Sequence, residues 1–197
     1  DNVIDVHIRI EPEEWAKLQP PKGTKMGFEG FDLAIQGLMV DALTGGHFRS
    51  QKSTRPGLAG YLGVDHQYGK AEVTIDGETV KGIGLRYKGN GSFLKYVEGD
   101  VTRRLSFKID FNKFTKGQKF LGLTKLNLNN NVLDPSQIRE ALAYRLWRKL
   151  ELPGSRTAFA RVTLTVSGRF DKKLLGLYVV VEQVNGPFLK ERFGTDK

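Results

Sequence analysis

Regular alternation of apolar and polar residues is the clearest pattern in this chain, and it predicts strands. Residues 3–10 place an apolar side chain at every second position, as a half-buried strand does. The same period recurs at residues 105–111. An Asp76-Gly77 pair has the composition of a tight hairpin turn between two further strands. The complete set of predicted strands is 3–10, 70–75, 80–88, 105–111, 126–129, 157–166 and 174–184.

One principal helix is predicted after residue 134. Asp134 suits an N-cap, Pro135 the first helical position, and Gln137 the capping-box position. We expect the helix to stop before Pro153 and to pack on the sheet through an apolar stripe formed by Ile138, Leu142, Leu146 and Leu150. Shorter helices are predicted from Pro12, ended by Pro20-Pro21, and at residues 188–193.

The chain has no internal repeat and no obvious linker, so residues 1–197 are predicted to form a single domain. Residues 1–69 would hold the first strand, a short helix and a long Gly/Pro-rich insertion with a helix near 31–43, and residues 70–193 would hold the core. The predicted fold class is α+β, with a mostly antiparallel twisted sheet and one principal packed helix.

Composition narrows the possible classes of protein. The 197 residues contain no cysteine, which excludes disulfide scaffolds, thiolate zinc sites and cysteine nucleophiles. No apolar run approaches the ~18 residues of a membrane span. The chain begins with Asp1 and lacks a basic, then apolar, leader. We therefore expect that it starts inside a longer protein or after a removed signal.

Positive charge is concentrated in one segment. Residues 81–125 contain eleven basic and three acidic residues, a net +8 out of +9 for the whole chain. Such a segment attracts phosphates, acidic proteins or anionic polymers, although a solvated basic surface explains the charge equally well. No recognised nucleic-acid-binding motif is present, so no specific nucleic-acid partner is predicted.

Standard catalytic motifs are missing from the sequence. It contains no G-x-S-x-G, no Walker-type phosphate loop and no H-E-x-x-H. The three histidines, His7, His47 and His66, lack metal-ligand spacing, so no metal site is predicted.

A weaker constellation remains in the basic segment. Backbone amides of the turn at Gly89, Asn90, Gly91 and Ser92 suit phosphate oxygens, although an ordinary hairpin turn is the commoner explanation. Lys108 lies on the polar face of an alternating strand, and the small Ser106 on the same face would leave room for a nucleotide. A solvated lysine is the alternative interpretation.

Glu140 falls in the predicted helix beside its apolar stripe. It could pair with a strand lysine or simply form a surface ion pair with an arginine. A glycine turn, a strand lysine, a helix glutamate and an apolar strand ending at Glu182-Gln183-Val184 follow one another in the order found in the N-terminal lobe of protein-kinase-like folds.

Several linked motifs resemble the spore coat protein H (CotH) kinase family. The resemblance covers about residues 70–193 and includes YKGNGSF at 87–93, SFKIDFNKF at 106–114, GQKF at 117–120, LNLNN at 126–130, REALAY at 139–144, GLY at 176–178 and VEQV at 181–184. It corresponds to the N-terminal portion of the kinase-like domain in that family.

The resemblance implies an atypical, secreted or spore-coat protein kinase that uses ATP and magnesium to phosphorylate serines of secreted or coat proteins, with an acidic or serine-bearing protein as substrate. By analogy with kinases, Lys108 would bind nucleotide phosphates, together with the residues of the turn from Gly89 to Ser92, and Glu140 would orient Lys108. Glu182 and Val184 would bound a hinge against adenine. It also implies location outside the cell or in the cell envelope.

The sequence departs from the family in one respect. The family's catalytic and metal-binding aspartates occur in motifs resembling W-D-x-x-x-H-N and W-D-x-D, and neither Trp15 nor Trp147 is followed by Asp. Phosphoryl transfer requires such groups, so this chain alone is predicted to be inactive. The alternative function is a noncatalytic envelope or matrix module that binds acidic partners.

Overall fold

The computed structural model describes residues 3–19, 66–89 and 105–195, together with the single positions 39 and 43. Met39 and Leu43 are helical, in agreement with the helix predicted near 31–43, and the rest of that segment lies outside the described residues. The strands are β1 Ile4–Ile10, β2 Gly69–Ile75, β3 Glu78–Tyr87, β4 Phe107–Asp110, β5 Lys125–Asn129, β6 Thr157–Val166 and β7 Phe170–Glu182. The helices are α1 Pro12–Leu18, α2 Arg139–Lys149 and α3 Gly186–Phe193.

The seven strands form a closed barrel in the order β1-β2-β3-β4-β5-β7-β6. Six of the seven pairings are antiparallel. The seventh joins β1 to β6 in parallel, with Ile4 opposite Ala160 and Ile10 opposite Val166. This parallel pairing closes the barrel and makes the sheet mixed.

The barrel corrects the predicted α+β fold, which was wrong. An open antiparallel sheet leaves one face exposed and needs a helix to cover it, whereas a closed sheet encloses its own core. The alternating apolar positions of all seven strands fill that interior, including Ile8, Val73, Leu85, Ile109 and Leu128. The strand positions were predicted well, but their closure into a barrel was not.

Helix α1 packs tightly against the barrel through Trp15 and Leu18, both of which are buried. The Trp15 ring meets the ring of Tyr87 edge-on, with 5.9 Å between centroids. A side chain at Gly69 would lie 2.4 Å from the Leu18 Cδ1 atom and 2.6 Å from the Glu14 carbonyl oxygen. Only glycine therefore permits this approach of the helix to β2.

Helix α2 differs from the helix predicted at this position. It begins at Arg139, because Gln137 adopts a left-handed conformation with φ of 62° that a helix cannot contain. Asp134 Oδ2 still accepts a hydrogen bond from the Arg139 amide at 2.9 Å. No residue of α2 is buried, and its predicted packing stripe is about half exposed. The expectation that α2 covers the sheet was wrong.

Candidate functional site

The strands β3, β4 and β5 place a group of polar side chains on the outside of the barrel. Phe107 and Ile109 of β4 point into the core, so Lys108 between them points outward. The strand register sets Arg86 and Asn127 on either side of Lys108. Lys88 directly follows β3, on the same side as Arg86. We call Arg86, Lys88 and Lys108 the basic face.

Lys108 is partly buried and its ammonium group contacts a neutral partner. Its Nζ atom donates a hydrogen bond to Gln183 Oε1 at 2.6 Å, and Asn127 Nδ2 donates to the same oxygen at 3.3 Å. Burial, together with the positive charges of Arg86 and Lys88, lowers the pKa of Lys108 to about 8. The protonated form of Lys108 is thus poorly compensated and would gain from a nearby anion.

Glu140 reaches a lysine through an asparagine, and that lysine is Lys88. Lys88 Nζ donates to Asn129 Oδ1 at 2.6 Å, and Asn129 Nδ2 donates to Glu140 Oε1 at 2.7 Å. Burial lowers the pKa of Lys88, while the Glu140 charge opposes that change. The described contacts of Glu140 therefore lead across one amide to Lys88, which follows β3, rather than directly to Lys108 as the kinase analogy implied.

Ser106 and the glycine turn are only partly described. Ser106 is on the predicted face, but its hydroxyl donates to Asn130 Oδ1 at 3.0 Å and accepts from the Asn130 amide at 3.1 Å. The Gly89 carbonyl accepts a hydrogen bond from His66 Nε2 at 2.9 Å, and Gly89 has a φ of 97°. Asn90, Gly91 and Ser92 lie outside the described residues. Their role as a phosphate-facing turn stays a prediction.

The segment predicted to act as a hinge has two distinct parts. Glu182 is 3% exposed, and its carboxylate accepts hydrogen bonds from Arg156 Nε at 3.2 Å and Nη2 at 2.6 Å. Its side chain is therefore committed to an ion pair that holds β7 to the start of β6. Val184 is exposed, and its carbonyl accepts from Gln183 Nε2 at 3.0 Å.

Sequence reasoning missed five residues of this site. The asparagines alternate with buried leucines in β5, and Arg86 and Lys88 flank the buried Tyr87. This period-2 pattern was visible and would have placed all four beside Lys108 once the strand order was known. Gln183 follows the last strand, and only the fold brings it to Lys108. The missed residues are Arg86, Lys88, Asn127, Asn129 and Gln183.

The carboxylates near the basic face already have partners. Asp110 Oδ2 lies 3.3 Å from Lys125 Nζ, and Asp110 Oδ1 accepts from the Asn112 amide. Within residues 3–19, 66–89 and 105–195, no group of three or more acidic or histidine side chains is arranged to hold a metal ion. No metal ligand is therefore assigned to the described residues.

The basic face defines a β-barrel domain with an anion-attracting outer surface, and sequence comparison gives its family. The family model CotH, described as CotH kinase protein, matches residues 85–197, which is more than half of the chain. The chain belongs to the CotH family. No curated protein matches the sequence. None of the described helices has the length and apolar character needed to cross a membrane.

Proposed function

We propose that this chain is the nucleotide-binding part of a CotH-type protein kinase, and that ATP phosphates bind on the basic face. The supporting observation is the group of three cations, Arg86, Lys88 and Lys108, in which burial and then the neighbouring positive charges lower the pKa of both lysines. A polyphosphate would relieve that repulsion because each oxygen accepts hydrogen bonds from charged donors.

Each residue of the basic face has a role in this proposal. Lys108 exchanges its bond to Gln183 for a phosphate oxygen, and Lys88 is held in place by Asn129 and Glu140. Arg86 is fixed by its own hydrogen bond to the Tyr87 carbonyl at 2.8 Å and adds positive charge. Magnesium would accompany the nucleotide and neutralise phosphate charge.

The substrate and setting of the reaction follow from the family resemblance. We propose a serine-bearing or acidic protein substrate located outside the cell or in the cell envelope. Positive charge on the barrel attracts an acidic substrate as well as ATP. Mutation of Lys108, which is partly buried, is therefore needed to distinguish binding of the two ligands.

Titration of the full chain with a fluorescent ATP analogue and magnesium tests the proposal. Lys108→Met should weaken nucleotide affinity at least about tenfold, because a charged hydrogen bond to phosphate is lost. The exposed Lys116→Met, in the same basic segment, is the matched control and should leave affinity unchanged. Lys88→Met should also weaken binding.

Two results would overturn the proposal. The first is nucleotide affinity that is equal in wild type, Lys108→Met and Lys116→Met. The second is an absence of nucleotide binding together with salt-sensitive binding of polyglutamate that Lys108→Met leaves intact. The latter result would favour a noncatalytic module for acidic partners.

A further inference from the structure

An open groove runs between α2 and the first half of β6. It has a volume of about 480 Å³. Its floor is apolar and is formed by the N-cap and first turn of the helix and by the strand: Ile138, Ala141, Leu142, Ala158 and Phe159. The helical members recur at the three- and four-residue spacing of one helix face, so they present a continuous surface. We call this feature the α2 groove.

The exposure of α2 is unusual for a helix of a folded domain. Leu142 is 58% exposed, and Leu146 and Trp147 on the same helix and Leu150 at its C-cap are also more than half exposed. Such helices normally bury their apolar stripe, because most helix stability comes from packing. Contiguous exposed apolar surface of this kind marks interaction sites in soluble domains.

Charge at the rim of the groove selects the partner. Arg145 and Arg148 line it beside the apolar floor, and Arg148 is held in position by its hydrogen bond to the Ser155 carbonyl. The only acidic residue of α2, Glu140, accepts a hydrogen bond from Asn129. The surface is therefore apolar at the centre and cationic at the edge. Its complement is apolar and acidic.

Two other occupants fit less well. A second copy of this chain would bring the same arginines to the same rim, and like charges would oppose each other across the interface. An anionic membrane would satisfy the arginines, but a flat bilayer does not fill a concave groove as inserted side chains do. A helical segment with apolar and acidic faces satisfies both the shape and the charge.

We propose that the α2 groove binds an acidic amphipathic helical segment of another protein. Apolar side chains of that segment fill the groove over Leu142 and Phe159, while its carboxylates pair with Arg145 and Arg148. None of the residues that line the groove belongs to the basic face, although α2 also carries Glu140, which contacts Asn129.

Selection from a displayed library of random peptides of about 15 residues, long enough to form a helix on binding, tests the proposal. The protein is the full chain, and counter-selection uses the Leu142→Glu variant. Leu142 is exposed, so the variant should fold, and thermal unfolding checks this. We expect the retained peptides to be enriched in Leu or Phe and in Asp or Glu.

Binding of a labelled retained peptide is then measured by fluorescence anisotropy. Leu142→Glu should weaken it at least about tenfold, since a charge enters the apolar floor. Leu174→Glu, at a leucine of β7 that is 61% exposed and does not line the groove, is the matched control and should bind as wild type. Arg145→Glu should weaken binding of the acidic peptide more than binding of a control peptide in which every Asp and Glu is replaced by Asn or Gln.

Three outcomes would overturn the proposal. One is the failure of selection to enrich peptides on wild type over Leu142→Glu. Another is equal affinity for wild type and Leu142→Glu, which would indicate charge attraction alone. The third is binding to mixed phosphatidylcholine and phosphatidylserine vesicles, lost in Leu142→Glu, without peptide binding. That result would make the surface a membrane contact.

Discussion

Glu182 and Gln183 are adjacent at the end of β7, yet their side chains join two different charged regions. Glu182 binds Arg156 and Arg192, and Arg156 also binds Glu191. We call these four residues the arginine cluster. Gln183 accepts a hydrogen bond from Lys108 of the basic face. In the arginine cluster the cations contact carboxylates, whereas on the basic face Lys88 and Lys108 contact neutral amides.

This difference indicates that the arginine cluster contributes to stability, whereas the basic face attracts a ligand. Removing one partner of a buried cation–carboxylate pair destabilises the fold because the other charge is left uncompensated, and paired charge is less available to a ligand. Cations that contact amides keep their full charge at some cost to the folded state. The distinction predicts different effects of mutation in the two regions, and stability changes in different pH ranges.

Removal of the Glu182 charge should produce the largest effect. Glu182→Gln leaves Arg156 and Arg192 without their shared carboxylate, and we expect a loss of about 2–3 kcal/mol in the free energy of unfolding, reduced from the fully buried case because Arg156 is half exposed. Urea denaturation measures this. Glu191→Gln, at the exposed edge of the same cluster, should change the midpoint far less. Equal effects of the two variants would show that the burial of Glu182 does not decide its contribution to stability.

The basic face should show the next effect, as a rise in stability with pH. The folded pKa of Lys108 is about 8 and its ordinary value is 10.5, so between these values the unfolded chain binds more protons. Stability attributable to Lys108 should therefore increase from about pH 8 to 10.5, by on the order of 1 kcal/mol after allowance for its partial exposure. Lys108→Met should lack this increment when unfolding is followed across the range.

Glu182 titrates in a different, acidic pH range and serves as the internal comparison, because its charged form stabilises the fold whereas the charged form of Lys108 does not. Its ion pair with Arg156 lowers the pKa of the carboxyl below the usual 4.5, despite burial that acts to raise it. Its stabilisation is present above that value and should be lost as the pH falls through the lowered pKa. If the free energy of unfolding fell by the same amount at acidic pH in Glu182→Gln as in wild type, this assignment would be contradicted.

The smallest effect is expected at an exposed ion pair of similar geometry. Arg161 donates to both oxygens of Asp5, at 2.7 and 2.8 Å, but both side chains are more than half exposed. We expect Arg161→Ala to leave the urea midpoint unchanged within error, because water replaces the lost contacts. A loss comparable to that of Glu182→Gln would show that pairing geometry, rather than burial, decides the contribution.

Local pattern predicted the strands but not the barrel. The alternation at residues 3–10 and 157–166 matches β1 and β6 closely. The parallel pairing of these two strands depends on long-range register, for which a single sequence carries no local signal. The absence of a local signal for closure also explains the wrong prediction that α2 covers the sheet. Its apolar stripe is real, but the closed sheet left it without a surface to cover.

The candidate site was predicted in part. Lys108 was placed on an outward strand face, and the polar alternation that identified it also applied to Arg86 and Lys88. The sequence could not show that Glu140 reaches Lys88 through Asn129, because this depends on where α2 begins relative to the end of β5. Nor could it show that Glu182 turns away from the site toward Arg156.

The parallel pairing of β1 with β6 also affects synthesis of the protein. The two strands meet at residues 156 positions apart, such as Asp5 and Arg161. At about 5–20 residues per second, roughly ten to thirty seconds separate the emergence of the two strands from the ribosome. During that time β1 has one free edge, which is open to pairing with another nascent chain. Synthesis of β6 and β7 therefore completes the barrel, and the pairing of β6 covers the free edge of β1.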